Sequence, residues 1–295
     1  YTGTRGGMRS FPYVPGHEWA GEVVATGEAV TQFKVGDRVV PSPRVTCGKC
    51  YYCTRGIFNY CENIERGRVR GGFAQYGVAL EGNLFKIPDH VSFIEASFCE
   101  PLACCINGSL DSKIGFGEDT VIVGAGPIGL MHLQLAKIQG ARVIVSEFLE
   151  ERLAKAKELG ADELICAAKE DPVERVKELT DGRGANTVIV AVGAPKALMQ
   201  ALDMAGINAY VNYFAGTYPP TTIPLDPNIV HYKQLRLTGS HDYNPPHFRS
   251  GLRFVSLGMV KVMPLVSHLL KLEDTKEGFD IVAAQKGLKV VVETD

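Results

Sequence analysis

Residues 120–139, TVIVGAGPIGLMHLQLAKIQ, constrain the fold more than any other stretch of the chain. An apolar, β-branched run ends at Gly124, and Gly124, Gly126 and Gly129 stand in G-x-G-x-x-G spacing before a helical pattern. In a strand–turn–helix context each glycine has its own reason. Gly124 permits the tight turn, Gly126 lets backbone approach a pyrophosphate, and Gly129 lets the helix pack on the strand. The helix start at Pro127 and Ile128 then offers free N–H groups and a positive dipole end to phosphates.

The same alternation continues downstream. RVIVSE is followed by EERLAKAKELG, ELICA by PVERVKELT, TVIVAVG by PKALMQALDM, and AYVNYFAG by a short turn into LRLTGS. Six strand candidates in a βαβ rhythm predict a parallel sheet covered on both faces. Glu147 ends the second strand, 18 residues beyond Gly129. A carboxylate there accepts hydrogen bonds from an adenosine ribose and repels a 2′-phosphate, which favours NAD over NADP. The competing reading is an acid that leads the next helix. Arg152, five residues on, reaches the adenosine side or merely covers its helix.

Before residue 90 the texture differs: short runs such as EVVATG and DRVVP are punctuated by Gly21, Gly27, Gly36 and Pro41, the pattern of a β-rich unit. Within it lies CGKCYYCTRGIFNYC, with Cys47, Cys50, Cys53 and Cys61 in C-x2-C-x2-C-x7-C spacing. Iron–sulfur runs of this type close with a three-residue gap and a proline. A seven-residue gap followed by Glu62 points instead to four thiolates around a structural zinc.

A chain of 295 residues with 45% hydrophobic content is long enough for two domains. Its net charge of −2, with both signs well mixed, builds no face for nucleic acid or anionic lipid. No apolar run reaches the roughly 20 residues of a membrane span. Four of the eight cysteines crowd into residues 47–61 and the others (Cys99, Cys104, Cys105, Cys166) sit in apolar segments, which fits a cytosolic metal enzyme better than a secreted disulfide scaffold.

GHEWAGEVVATGEAV (16–30), KVGDRVV (34–40), GGFAQY (71–76), the cysteine lobe and the glycine turn together resemble the zinc-containing medium-chain dehydrogenases, across the whole chain. The resemblance implies a mixed α/β protein: a GroES-like β-rich catalytic domain (1–103, zinc lobe at 45–63), a Rossmann NAD-binding domain (104–240) with a doubly wound parallel six-stranded sheet, and a C-terminal segment (241–295) that packs back on the first. CEPLACC (99–105) is similar to the polyol and threonine branch, which reads Glu-Pro where other alcohol dehydrogenases place a cysteine ligand. His17, Glu18 and Glu100 are thereby implied as catalytic-zinc residues, with Cys99 the rival to Glu100 and Cys104 and Cys105 as small core residues. The family's first ligand, a cysteine, is expected upstream of Tyr1.

The resemblance also implies metal-assisted hydride transfer from a secondary alcohol of a polyol, sugar or sugar derivative to NAD. An amino-alcohol or threonine dehydrogenase is the alternative, and an NAD-binding relative without catalysis is the non-enzyme one. It places Phe214, Ala215, Gly216, Ser240 and His241 near the nicotinamide and Asp242 and Tyr243 near the substrate. Asp242-Tyr243 departs from the Arg-Tyr of sorbitol dehydrogenases. Arg44 stands where threonine dehydrogenases carry a histidine, either to meet an anionic substrate or as an ordinary surface base. Strand RLTG (236–239) is expected to pair with a second copy, giving a dimer or tetramer.

Overall fold

The β-branched runs assemble as their apolar character requires. The computed structural model describes residues 14–64, 69 and 71–294. The chain divides into two units: Leu102–Tyr243 with Met259–Lys261, and the remainder, Tyr1–Pro101, Asn244–Gly258 and Val262–Asp295.

The Leu102–Tyr243 unit is a six-stranded sheet. In chain order its strands are β4 (Asp119–Val123), β5 (Arg142–Glu147), β6 (Glu163–Cys166), β7 (Ala185–Val190), β8 (Ala205–Tyr213) and β9 (Arg236–Gly239). They lie in the order β6-β5-β4-β7-β8-β9, all parallel, with the order reversing between β4 and β7. Val121, Ile122, Val143, Ile144, Val188 and Ile189 have essentially no exposed surface, as expected of strands covered on both faces. Helices α3 (Pro127–Ile138), α4 (Glu150–Glu158), α5 (Pro172–Leu179) and α6 (Pro195–Met204) cross between strands. Gln134 on α3 accepts from the Lys261 N–H and donates to its carbonyl, and this explains why Met259–Lys261 belong with this sheet.

Two local features depart from the sequence expectation. The connection from β8 to β9 contains a helix, α7 (Pro227–Tyr232), started by an Asp226 side-chain cap and Pro227 in its first turn. A six-residue helix is too short to show periodicity, but its cap and proline are legible. Strand β8 also starts earlier than the apolar run, at Ala205, and its pairing with β7 carries a register irregularity between Ala185 and Thr187.

In the other unit, β1 (Gly21–Glu22), β2 (Arg38–Pro41) and β3 (Leu84–Lys86) form a short antiparallel sheet. Helix α1 (Phe93–Ser97) is held by a Ser92–Glu95 capping box, and α2 (Cys99–Asp111) begins directly after it with Glu100 in its first turn; only its first three residues belong to this unit, and Leu102 onward belongs to the sheet-bearing one. Helix α8 (Pro245–Ser256) and the parallel pair β10 (Val266–Lys271) and β11 (Lys289–Glu293), joined through α9 (Thr275–Ala283), belong to the same unit. No helix among the described residues is long and apolar enough to cross a membrane.

His132, on α3, is fully buried, and neither ring nitrogen has a hydrogen-bond partner among the described residues. Burial pulls its pKa down to about 3. Between the ordinary value of 6.5 and about 3 the unfolded chain holds a proton that the folded chain lacks, so stability falls as pH falls through that window. Replacing His132 by Leu is expected to flatten this acid loss by a few kcal/mol, on the order of 1.4 kcal/mol per unit of removed shift. Denaturant melts of both proteins between pH 7 and 4 measure it.

Candidate metal and cofactor sites

The four clustered cysteines form a closed set. All are free thiols, and their sulfurs all lie within 4.8 Å of one another. Cys61 Sγ is 3.6 Å from Cys47 Sγ and 4.0 Å from Cys50 Sγ. A tetrahedron of 2.3 Å zinc–sulfur bonds has edges of about 3.8 Å, so these spacings suit that ion. Gly48 and Gly56, both at positive φ, turn the loop so that the sulfurs converge. Backbone N–H groups stabilise thiolates here: the Lys49 N–H chiefly draws Cys47 down to about 6, and the Cys53 N–H lowers Cys50. Burial, reinforced by neighbouring sulfurs, pushes Cys53 up to about 12. Four mutually repelling sulfurs held this close are a site for a divalent cation.

A second cluster gathers His17, Glu18 and Glu100, whose ligand atoms also lie within 4.8 Å of one another. Gly16 takes φ +91°, the bend that lets neighbouring side chains on an extended segment turn toward one point. It is held closely: a Cβ on Gly72 would stand 2.4 Å from the Gly16 carbonyl carbon. His17 Nε2 lies 3.7 Å from Glu100 Oε1, a separation that a shared ion of about 2.1 Å bonds spans and a hydrogen bond does not. Burial first, then the Glu18 carboxylate, pushes Glu100 up to about 8, opposed by Lys289 and Arg44. Two carboxylates and an imidazole in this setting are suited to a cation. Cys99, the rival ligand, is fully buried, its thiol pushed up to about 12 by burial, and it belongs to neither cluster.

Lys289 is not visible as a site residue in the sequence. It lies on β11, far along the chain, and its Nζ makes an ion pair with Glu18 Oε2 while resting 5.5 Å from the centroid of the Phe98 ring. Nothing in the local pattern of GLKVVVE marks it, because the contact depends on tertiary packing. Arg44 is half-buried, donates to the Asn59 carbonyl at 3.1 Å, and contributes to the field at Glu100.

On the sheet, the glycine turn has the form the motif predicts. Gly124 takes φ +100°, and a Cβ on Gly129 would lie 1.8 Å from the Gly124 carbonyl oxygen. A Cβ on Gly126 would meet nothing within 4 Å, so that side of the turn is open to a ligand. Pro127 and Ile128 open α3. Glu147 is buried, and its oxygens accept N–H bonds from Ala125 at 2.8 Å, Phe148 at 2.7 Å and Leu149 at 3.2 Å, with Arg152 Nη1 4.0 Å away. Phe214 and Ala215 follow β8, and Ser240 and His241 follow β9, all at the carboxyl ends of their strands. Asp242 takes φ +61°, and its carboxylate accepts from the Tyr243 N–H. Tyr243 is fully buried, and its ring presents no surface to a substrate.

Residues 1–89 match the alcohol dehydrogenase GroES-like domain, and residues 127–256 match the zinc-binding dehydrogenase domain. A sorbitol dehydrogenase of Bacillus subtilis (strain 168) is 34% identical over 287 residues, covering 95% of this chain and 81% of that protein. An L-threonine 3-dehydrogenase of Pyrococcus furiosus is 36% identical over 290 residues, with 95% and 81% covered. The chain belongs to the zinc-containing medium-chain dehydrogenases. It falls in their sorbitol and threonine branch, is an oxidoreductase, and uses zinc and a nicotinamide cofactor. A zinc-binding dehydrogenase of Sinorhizobium meliloti 1021 bound to NADP has the same architecture, with a TM-score of 0.89 at 29% identity, over 97% of this chain and 85% of that one.

The two glycines of the turn separate fold from binding in this dehydrogenase. Gly129→Ala is expected to lower stability by several kcal/mol, because its Cβ would overlap the Gly124 carbonyl. Gly126→Ala should melt like wild type yet weaken NADH binding about tenfold or more, since the new methyl occupies ligand space. Thermal melts and NADH fluorescence titrations on both variants check the pair.

Proposed function

We propose that the protein oxidises a secondary alcohol of a polyol, sugar or sugar derivative with NAD, using His17, Glu18 and Glu100 as the residues that hold the catalytic zinc. The convergence of one imidazole and two carboxylates, with a glutamate where a cysteine would serve other alcohol dehydrogenases, carries this reading. Its similarity to a sorbitol dehydrogenase supports the substrate class.

Zinc held by these residues supplies Lewis acidity that eases loss of the alcohol proton. Oxidised nicotinamide supplies the hydride acceptor. The protein's own contribution is placement and charge. His17 Nε2 and Glu100 Oε1 present two donors at a fitting separation, and the Gly16 bend aims His17. Lys289 pairs with Glu18, offsetting one negative charge and fixing that carboxylate's orientation. The buried setting of Glu100 strengthens its attraction to a cation, because fewer waters screen it. Cys47, Cys50, Cys53 and Cys61 are full as a ligand set and leave no position for substrate, so their zinc is structural.

Glu147 supports NAD over NADP, since a 2′-phosphate beside a buried carboxylate would be repelled. Arg152, 4.0 Å from that carboxylate, supports a contact on the adenosine side. A second substrate reading rests on Arg44, whose charge reaches the Glu100 cluster: it favours an alcohol bearing a carboxylate, as in the threonine relative. Strand β9 at the sheet edge supports assembly with a second copy, and light scattering should give at least twice 32.0 kDa at micromolar concentration. The gathering of Cys47, Cys50, Cys53 and Cys61 as a metal-binding set, rather than as disulfides, supports a cytoplasmic location.

The deciding measurement is NADH formation by zinc-replete protein with a panel of polyols, sugar alcohols, sugar phosphates and L-threonine. A polyol or sugar substrate, at least tenfold better with NAD than NADP, is the expected result. His17→Ala should abolish turnover while leaving NADH binding intact. Threonine oxidation lost in Arg44→Ala would select the second reading.

A further inference from the structure

Beneath the carboxyl ends of β8 and β9 lies a polar cluster that neither the metal site nor the glycine turn uses. Its centre is Asn212, on β8, with no exposed surface. Asn212 Nδ2 lies 3.0 Å from the Gly108 carbonyl, 2.9 Å from Ser112 Oγ and 3.0 Å from Ser240 Oγ, and shares its two hydrogens among these three acceptors. The Gly108 carbonyl can only accept, which assigns the amide nitrogen to this side. Ser240 Oγ in turn donates to Asp111 Oδ2 at 2.7 Å, and Ser112 Oγ donates to the Gly108 carbonyl at 2.6 Å. Every bond therefore runs outward from Asn212. The direction requires a donor at 212 and an acceptor at 111.

A second contact ties the same turn of α2 to the next residue of interest. Phe214 stacks edge-on against His132 with ring centroids 4.5 Å apart. A Cβ on Gly108 would meet the Phe214 ring at 2.7 Å and His132 Cε1 at 2.9 Å, so the absent side chain makes room for both rings. The end of α2 thus fixes the residue after β8 by packing and the residue after β9 by hydrogen bonding.

The sheet order says what those residues face. A dinucleotide crosses the carboxyl edge at the reversal between β4 and β7, with Glu147 on the β5 side for the adenosine half. The other half then lies over the ends of β7, β8 and β9. We infer that Asn212 is a positioning residue for the nicotinamide half of the cofactor, setting Ser240 and the Phe214 turn through one buried hydrogen-bond fan. This rests on the cofactor reading given under the proposed function.

Two binding titrations on the full chain test it, NADH for the whole cofactor and AMP for the adenosine half alone. Asn212→Leu, close in size but without donors, is expected to weaken NADH about tenfold and to leave AMP within about twofold. Asp111→Ala, at an exposed position where folding is not at risk, should weaken NADH about threefold, and Asp111→Asn, which keeps an acceptor oxygen, should restore it. In turnover assays the Asn212 variant should raise KM for NAD more than it lowers kcat. NADH affinity equal to wild type in both Asn212→Leu and Asp111→Ala would overturn the inference. So would equal loss of NADH and AMP, which marks a merely structural role. Failure of wild type to bind either ligand would instead remove the cofactor reading itself.

Discussion

The sheet-bearing unit depends on how closely one helix approaches one turn. Helix α3 settles on the turn after β4 with no space for a methyl group at Gly129, 1.8 Å from the Gly124 oxygen. That closeness lets the first turn of α3 point its free N–H groups along the carboxyl edge of the sheet. It also holds β4 at the centre, flanked by β5 and β7, where the strand order reverses. The crevice for a dinucleotide is a product of this packing, because the edge opens where neighbouring connections leave in opposite directions.

Charge organises the other unit in a different way. Its sheet is short, and its functional groups would repel one another without cations: four sulfurs within 4.8 Å, and two carboxylates beside an imidazole. The folded chain holds each set in place through backbone, with positive-φ glycines at Gly16, Gly48 and Gly56 and N–H bonds to the cysteine sulfurs. Lys289 supplies a cation that the chain itself places directly on Glu18. Zinc binding and folding are linked wherever ligands are collected this tightly.

Much of this is legible in the sequence because it follows from short-range chemistry. The βαβ rhythm, the glycine spacing and the cysteine spacing each report a local requirement, and each stands where the structure uses it. Glu100 is distinguishable from Cys99 by its Glu-Pro context, and Cys99 is the one that points into the core. What escapes is tertiary or small. Lys289 meets Glu18 across 271 positions of chain. Asn212 reads as one polar residue in an apolar strand and gains its meaning only from Gly108, Ser112 and Ser240. Tyr243 sits in a segment the resemblance assigns to substrate, yet the left-handed turn at Asp242 accompanies a fully buried ring. Helix α7 escapes because so short a helix carries no period, although Asp226 and Pro227 mark its start.

Glu147 shows how selectivity and fold share one side chain. Its two oxygens already accept three backbone N–H groups, one from the glycine turn itself at Ala125 and two from the entrance to α4 at Phe148 and Leu149. On the reading that the same carboxylate meets the adenosine ribose, ribose hydroxyls add to an anchored acceptor that has no rotamer freedom left to lose. A residue without an acceptor oxygen introduced to admit a 2′-phosphate would strand the buried Ala125 N–H, at a cost of about 1–3 kcal/mol, and release the part-buried N–H groups of Phe148 and Leu149. Cofactor preference here is therefore not a removable surface charge. It is tied to the bond that holds the glycine turn against β5, so altering it means rebuilding the turn's support as well.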